Sequence, residues 1–316
     1  MNPLYMVAFF SSAALSACLT PVAIWFGARF GITDRAGGKT PSGQEKITKK
    51  KTPRTGGIGI FFGTLIPFIL ISGFDSSSIG IISGAIFIWL FMLLDDKYNL
   101  PPWTKFIAQA ASATAVILSG MRIAYMTNLF GGGWVSLEWL SIPLTYLWII
   151  LVTNAVNFID GLDGLASGIT IIVCITAALA SISRGMITPA LLLVSLAGAS
   201  AGFLPFNFKP AKIFLGDNGA HLIGFLISVC AMWGTAKATT AVVLGVSAVA
   251  LFIPMFDVFY SAFRRVANKK SPFAGDMDNI HYKLLQLGWS EDRVVLVFYA
   301  ITIVFSFLAL YFFVWR

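Results

Sequence analysis

The 316-residue sequence is short of charge: Asp, Glu, Lys and Arg together make up 11% of it, while 57% is hydrophobic and the mean hydropathy is +0.83. A soluble domain carries about 25% charged residues, so a water-facing globule is excluded. Cysteine is scarce as well. Cys18, Cys174 and Cys230 each stand alone in an apolar run, which excludes a disulfide framework and a thiolate metal site and leaves free buried thiols. The chain shows no internal repeat and no stretch with the composition of a soluble domain. No positive charge precedes the first apolar run, so "LSAC", ending at Cys18, reads as part of an uncleaved span and not as a lipoprotein signal.

What is present is a succession of apolar runs near the ~20 residues that cross a bilayer as a helix. They cover 4–27, 57–73, 79–94, 104–120, 139–153, 165–182, 188–205, 219–234, 239–263 and 292–314. The expected fold is an all-α integral membrane protein, a polytopic bundle of about ten transmembrane helices with both termini extracytoplasmic. Residues 1–316 then form a single transmembrane domain with cytoplasmic loops 28–56 and 264–291. On this layout 18 of the 22 Lys and Arg residues lie on one side, and only Arg122, Arg184, Lys237 and Arg316 lie on the other. The positive-inside rule makes the basic side cytoplasmic. The same topology accounts for the net charge of +8, with basic loops facing anionic headgroups, so no nucleic-acid partner is implied. Residues 121–138, on the outer side, have the makings of a short hairpin around a triple glycine.

The acids do not follow from topology, because Asp and Glu contribute little to orientation. Twelve of the 14 fall on the basic side. "LLDDKYNLPPWTKF" puts Asp95 and Asp96 at the inner end of one helix, and "NAVNFIDGLDG" puts Asp160 and Asp163 at the inner end of another. "FLGDNGAHLIGF" carries Asp217, and "IPMFDVFYSAFRR" carries Asp257. Carboxylates in or beside hydrocarbon are costly unless solvated, paired or metal-bound, so they mark function. Adjacent Asp95 and Asp96 repel one another, which favours a shared cation or proton. Oxygen-rich, sulfur-free carboxylate sites suit Mg²⁺, which binds one or two carboxylates together with substrate phosphates. "DGLDG" lacks the ligand pattern of a calcium loop. Lys97, Lys105, Lys209, Lys212, Arg264 and Arg265 border the acids, as a phosphorylated substrate requires. The Gly-rich "TPRTGGIGIFFG" either brings backbone amides close to phosphate or allows tight helix packing, with packing the better reading.

These segments, in order and spacing, resemble the polyprenyl-phosphate N-acetylhexosamine-1-phosphate transferases of glycosyl transferase family 4. "PRTGGIGI", "IPMFDVF" and "SPFAGDMDNIHYKLLQLG" fit the resemblance too, which runs from about Lys51 to Gly288. It implies a Mg²⁺-dependent enzyme of the bacterial cytoplasmic (inner) membrane with its active site facing the cytoplasm. The implied reaction moves a sugar-1-phosphate from a UDP-N-acetylhexosamine to undecaprenyl phosphate and releases UMP. A run of three adjacent histidines, which marks the muropeptide-using branch, is missing. The chain looks more like the branch that starts teichoic acid, O-antigen or capsule synthesis and commonly uses UDP-N-acetylglucosamine. By this resemblance Asp217 ligates the metal, while Asp95 and Asp96 position or deprotonate the lipid phosphate. Asn154, Asn157, Asp160 and Asp163 shape the nucleotide site, and Phe214 stacks on uracil. Lys105 and His281 meet phosphate oxygens, with Arg264 and Arg265 as further substrate contacts. Asn279 and Tyr282 stand where the branch usually has histidines. The bilayer is an expected partner, and a homodimer is among the assemblies allowed. A cation-coupled transporter is the alternative from another class, but it predicts acids near mid-membrane and broken helices in two matching halves, and neither pattern is found.

Overall fold

The computed structural model describes residues 3–34, 51–74, 76–127, 134–233, 246–249, 251–252, 255–256, 260 and 280–315. Helix α1 (Pro3–Phe30) leads into a small antiparallel pair, β1 (Thr33–Asp34) with β2 (Thr52–Pro53). Then come α2 (Gly57–Ser72), α3 (Ser76–Tyr98) and α4 (Pro102–Leu118). On the far side β3 (Tyr125–Thr127) pairs with β4 (Trp134–Ser136), the hairpin expected around the triple glycine. Helices α5 (Ser141–Ile159), α6 (Leu165–Ser183), α7 (Ile187–Asn207) and α8 (Gly216–Met232) follow. The chain closes with α9 (Ile280–Gln286) and α10 (Glu291–Leu310).

The expected count of about ten spans is corrected here. Among the described residues six helical stretches are long and apolar enough to cross a membrane: Pro3–Phe30, Ser77–Tyr98, Glu138–Ile159, Leu165–Ser183, Ile187–Asn207 and Glu291–Leu310. The expected spans at 57–73, 104–120 and 219–234 are helical but only 16, 17 and 17 residues long. At 1.5 Å per residue such helices are roughly 24–26 Å long, short of the ~30 Å hydrocarbon core. Most of the expected span 239–263 lies outside the described residues, as do residues 35–50 of the first loop and 264–279 of the second.

Helices α6, α7 and α8 form the centre. Their buried side chains include Ile169, Leu192, Phe203 and Phe225, each 0–1% exposed, and α1, α2, α3, α5 and α10 pack around them. Burial of this kind in lipid rests on close packing, which small residues permit. A Cβ at Gly198 would run into the Phe9 carbonyl and one at Gly202 into the Ala13 carbonyl, so α7 lies directly on α1. The Gly-rich start of α2 is used in the same way. A Cβ at Gly59 or Gly63 would press on Thr20 or Ser16, and the Gly56 and Gly57 amides donate to the Phe214 and Leu215 carbonyls at 3.1 Å each. Those amides are therefore spent on packing.

The same end of the bundle collects three chain reversals. Helix α3 stops at Asn99, whose φ is +51°, and Asp95 Oδ1 accepts from the Leu100 amide at 2.9 Å. Pro102 then opens α4, where a missing N–H costs nothing. Helix α5 ends at Asp160, and α6 starts beyond Gly164 (φ +77°); α8 starts at Gly216 (φ +74°). Both glycines hold a left-handed conformation that a side chain would strain. These reversals put Asp95, Asp96, Asp160, Asp163 and Asp217 at one end.

Candidate active site

Lys105, one turn into α4, gathers the first two acids. Its Nζ lies 2.8 Å from Asp95 Oδ2 and 2.5 Å from Asp217 Oδ2, joining α3, α4 and α8 at a point. Asp217 is oriented from the other side by Asn157, whose Nδ2 donates to Asp217 Oδ1 at 2.8 Å. His221, one turn further along α8, is fully buried, with Nδ1 2.9 Å from the Asp217 carbonyl oxygen.

Asp96 faces the opposite way from its neighbour. Its side chain has no exposed surface. Its Oδ1 accepts from the Asp217 amide at 3.0 Å, and its Oδ2 accepts from the Asn218 amide at 2.9 Å and from Asn218 Nδ2 at 2.6 Å. Arg54 Nε adds an ion pair to Oδ1 at 3.3 Å. A carboxylate from α3 thus satisfies the amides that every helix leaves open at its N-terminus, here that of α8, and its negative charge suits the helix dipole. Burial alone would lower the Arg54 pKa, but Asp96 and then Asp217 outweigh it and hold it above the ordinary arginine value.

Asn154 and Gln109 exchange amide hydrogen bonds, Nδ2 to Oε1 at 2.8 Å and Nε2 to Oδ1 at 3.3 Å, fastening α4 to α5. Asp160 is half-buried, and burial followed by the charge of Asp217 pushes its pKa up to about 8. Asp163 Oδ2 accepts from the Ala211 amide at 2.9 Å. Two tyrosines clasp the intervening loop: Tyr282 Oη donates to the Gly161 carbonyl at 3.1 Å and Tyr299 Oη to that of Gly164 at 2.6 Å. His281 is wholly buried, its ring 4.3 Å from that of Tyr282, and a Cβ on Gly161 would strike its Nε2. Burial lowers its pKa to about 4. Phe214 is half-buried, and its amide donates to the Pro53 carbonyl at 2.8 Å.

The structure therefore brings Asp95, Asp96, Lys105, Asn157 and Asp217 into one connected network, with Asn154 behind it. It places Asp163 in the 160–164 loop and packs His281, from α9, against that loop. Arg264, Arg265, Asp257 and Asn279 lie outside the described residues. Among the described residues no three His, Cys, Asp or Glu side chains converge as a ready-made metal cage. The donor chemistry nevertheless fits Mg²⁺, which takes few protein carboxylates and fills its shell with water and phosphate. The Lys105 ammonium already stands as a cation between Asp95 and Asp217.

The glycosyl transferase family 4 profile matches residues 78–235, which contain this network apart from Arg54. A Bacillus subtilis (strain 168) protein named probable undecaprenyl-phosphate N-acetylglucosaminyl 1-phosphate transferase is 35% identical over 307 residues, covering 96% of this chain and 84% of that one. The chain belongs to glycosyl transferase family 4. A decaprenyl-phosphate N-acetylglucosaminephosphotransferase of Mycobacterium tuberculosis (strain ATCC 25618 / H37Rv) is 32% identical over 302 residues, 85% of this transferase and 74% of the relative. A phospho-N-acetylmuramoyl-pentapeptide-transferase of Clostridium perfringens (strain SM101 / Type A) is 30% identical over 326 residues, 98% and 97% of the two chains. The chain is thus a multi-pass membrane enzyme of the polyprenyl-phosphate N-acetylhexosamine-1-phosphate transferase type. Sequence reasoning left three members of the transferase's network without a role: Arg54, Gln109 and Asn218. In the sequence Arg54 is one of many cations on the basic side, and its place beside the Gly-rich start of α2 is the signal that distinguishes it.

Proposed function

We propose that this transferase moves N-acetylglucosamine-1-phosphate from UDP-N-acetylglucosamine to undecaprenyl phosphate, releasing UMP, on the cytoplasmic face of a bacterial inner membrane. The observation that carries the reading is the meeting of Asp95, Lys105 and Asp217 from three helices at one end of the bundle. The names of the Bacillus and mycobacterial relatives support the sugar and a polyprenyl-phosphate acceptor, and the Bacillus name supports undecaprenyl phosphate in particular. Phosphoryl transfer asks a protein for positioning and charge neutralisation more than for covalent chemistry, and this network supplies both.

Asp217, with Asp95 beside it, would hold Mg²⁺, which when bound neutralises charge on the pyrophosphate and makes its phosphorus electrophilic. Asn157 ties one Asp217 oxygen and leaves the other facing Lys105. Lys105, once released from that carboxylate, meets a phosphate oxygen. Asp95 orients the lipid phosphate and takes its proton when it arrives protonated. The nucleotide lies toward the 160–164 loop, with Asp163 for the uracil imide and Phe214 for its ring. His281 and Tyr282 hold that loop from beneath.

Purified protein, undecaprenyl phosphate and a panel of UDP-sugars test the proposal. UMP is expected with UDP-N-acetylglucosamine and only in the presence of Mg²⁺. Release with another sugar alone would replace the donor, and no release with any sugar would remove the reaction.

A further inference from the structure

Arg54 has no part in the reaction as described so far. It lies between β2 and α2, and its backbone is tied at both ends. The amide donates to the Ile32 carbonyl at 3.0 Å, and the carbonyl accepts from Asn218 Nδ2 at 2.7 Å. The guanidinium is gripped at its inner edge, where Nε meets Asp96 Oδ1 at 3.3 Å. Its outer edge is looser. One terminal nitrogen lies 3.9 Å from Asp217 Oδ2, beyond hydrogen-bond reach, and the side chain is 24% exposed against 0% for Asp96. A planar fork fixed from behind and open in front is the arrangement that recognises phosphate oxygens in pairs. The charges point the same way. Among the described residues the cations paired with Asp95, Asp96 and Asp217 across this network are Arg54 and Lys105, so an anionic substrate entering it draws on both.

We propose that Arg54 is a phosphate-binding residue of the transferase site, oriented through Nε by Asp96 and presenting its terminal nitrogens to a phosphate seated against Asp217. The inference rests on the transferase reading above. Two phosphates meet there, that of the nucleotide and that of the lipid, and the test separates them. The competing role is that of a mere counter-ion for Asp96, which a lysine would also fill.

Full-length wild type, Arg54→Lys and Arg54→Gln are compared in detergent at saturating Mg²⁺. The measurements are the inhibition constants of UMP and uridine, the KM for undecaprenyl phosphate, and the melting temperature. If Arg54 holds the nucleotide phosphate, the preference for UMP over uridine falls about tenfold or more in both variants, as expected for one lost charge-assisted contact, and uridine itself binds as before. If it holds the lipid phosphate, the KM for undecaprenyl phosphate rises by a similar factor and the UMP preference is kept. Unchanged constants overturn the proposal. So does a parallel weakening of UMP, uridine and lipid with a lowered melting temperature in Arg54→Gln that Arg54→Lys does not share, the mark of a counter-ion, and so does loss of fold in both variants, the mark of a purely structural role. Wild type that releases no UMP from any UDP-sugar brings down the transferase reading itself, which is a separate outcome.

Discussion

His281 is enclosed by Tyr282, Phe298 and the Gly161 backbone, and burial lowers its pKa from an ordinary 6.5 to about 4. It is therefore neutral at pH 7 and offers a ring nitrogen in place of a cation. The sign of its effect on stability follows. The folded state binds this proton less readily than the unfolded chain, so the contribution is complete above pH 6.5 and is lost as the pH falls toward 4. Melting temperature of the wild type is expected to drop through that window, and His281→Gln is expected to drop less. Identical slopes for the two proteins would take the acid sensitivity away from His281. At this scale the sequence was readable where a residue was out of place among its neighbours. Asp95 and Asp217 stood out as carboxylates at apolar helix ends. Asn218 and Gln109 did not, because an amide is unremarkable until its partner is known. Those partners, Arg54 and Asp96 for one and Asn154 for the other, are 45 to 164 residues away.

Helix α8 has its first turn fastened to α3 by a single carboxylate, and this separates the tasks of two aspartates that look alike in sequence. Asp96→Asn places an amide among the donors from Arg54, Asp217 and Asn218 and removes the charge that balances Arg54. Breaking a buried pair in this way costs about 3–5 kcal/mol. Asp217→Asn leaves that fastening whole. Thermal melts in detergent should therefore show a large loss for Asp96→Asn and a small one for Asp217→Asn. Turnover should collapse in both, by several decades for Asp217→Asn at roughly 1.36 kcal/mol of barrier per decade. Equal melting shifts would contradict the division. Element positions were legible from hydropathy, since the apolar runs 57–73, 104–120 and 219–234 do hold α2, α4 and α8. Their lengths were legible too, since the runs end within one residue of Gly73, Ser119 and Trp233; the miscount came from taking runs shorter than the ~20 residues of a full crossing as spans.

Orientation belongs to the whole molecule. Lys212, exposed between α7 and α8, lies at the end that holds the acids, and exposed Arg122 follows the opposite end of α4. In intact cells carrying Cys18→Ser, an Arg122→Cys protein should react with a membrane-impermeant thiol reagent, and Lys212→Cys should react only after the cells are opened. Labelling of Lys212→Cys in sealed cells would put the site outside and reverse the proposed face. The charge bias that supports the orientation was visible in the sequence, because it is a sum over loops. The crossing number was not, because apolar runs shorter than a full crossing look like spans in hydropathy.

The fastening of α8 also sets an order on synthesis. Asp96 precedes the amides it will receive by 121 and 122 residues, and it follows Arg54 by only 42. At about 5–20 residues per second a ribosome takes roughly 6–24 s to supply that missing stretch. Throughout that interval the nascent chain holds a carboxylate at the end of an apolar helix with no helix terminus yet made to receive it. Arg54, already translated, is among the described residues the one partner of Asp96 in the folded network that does not depend on the later helix.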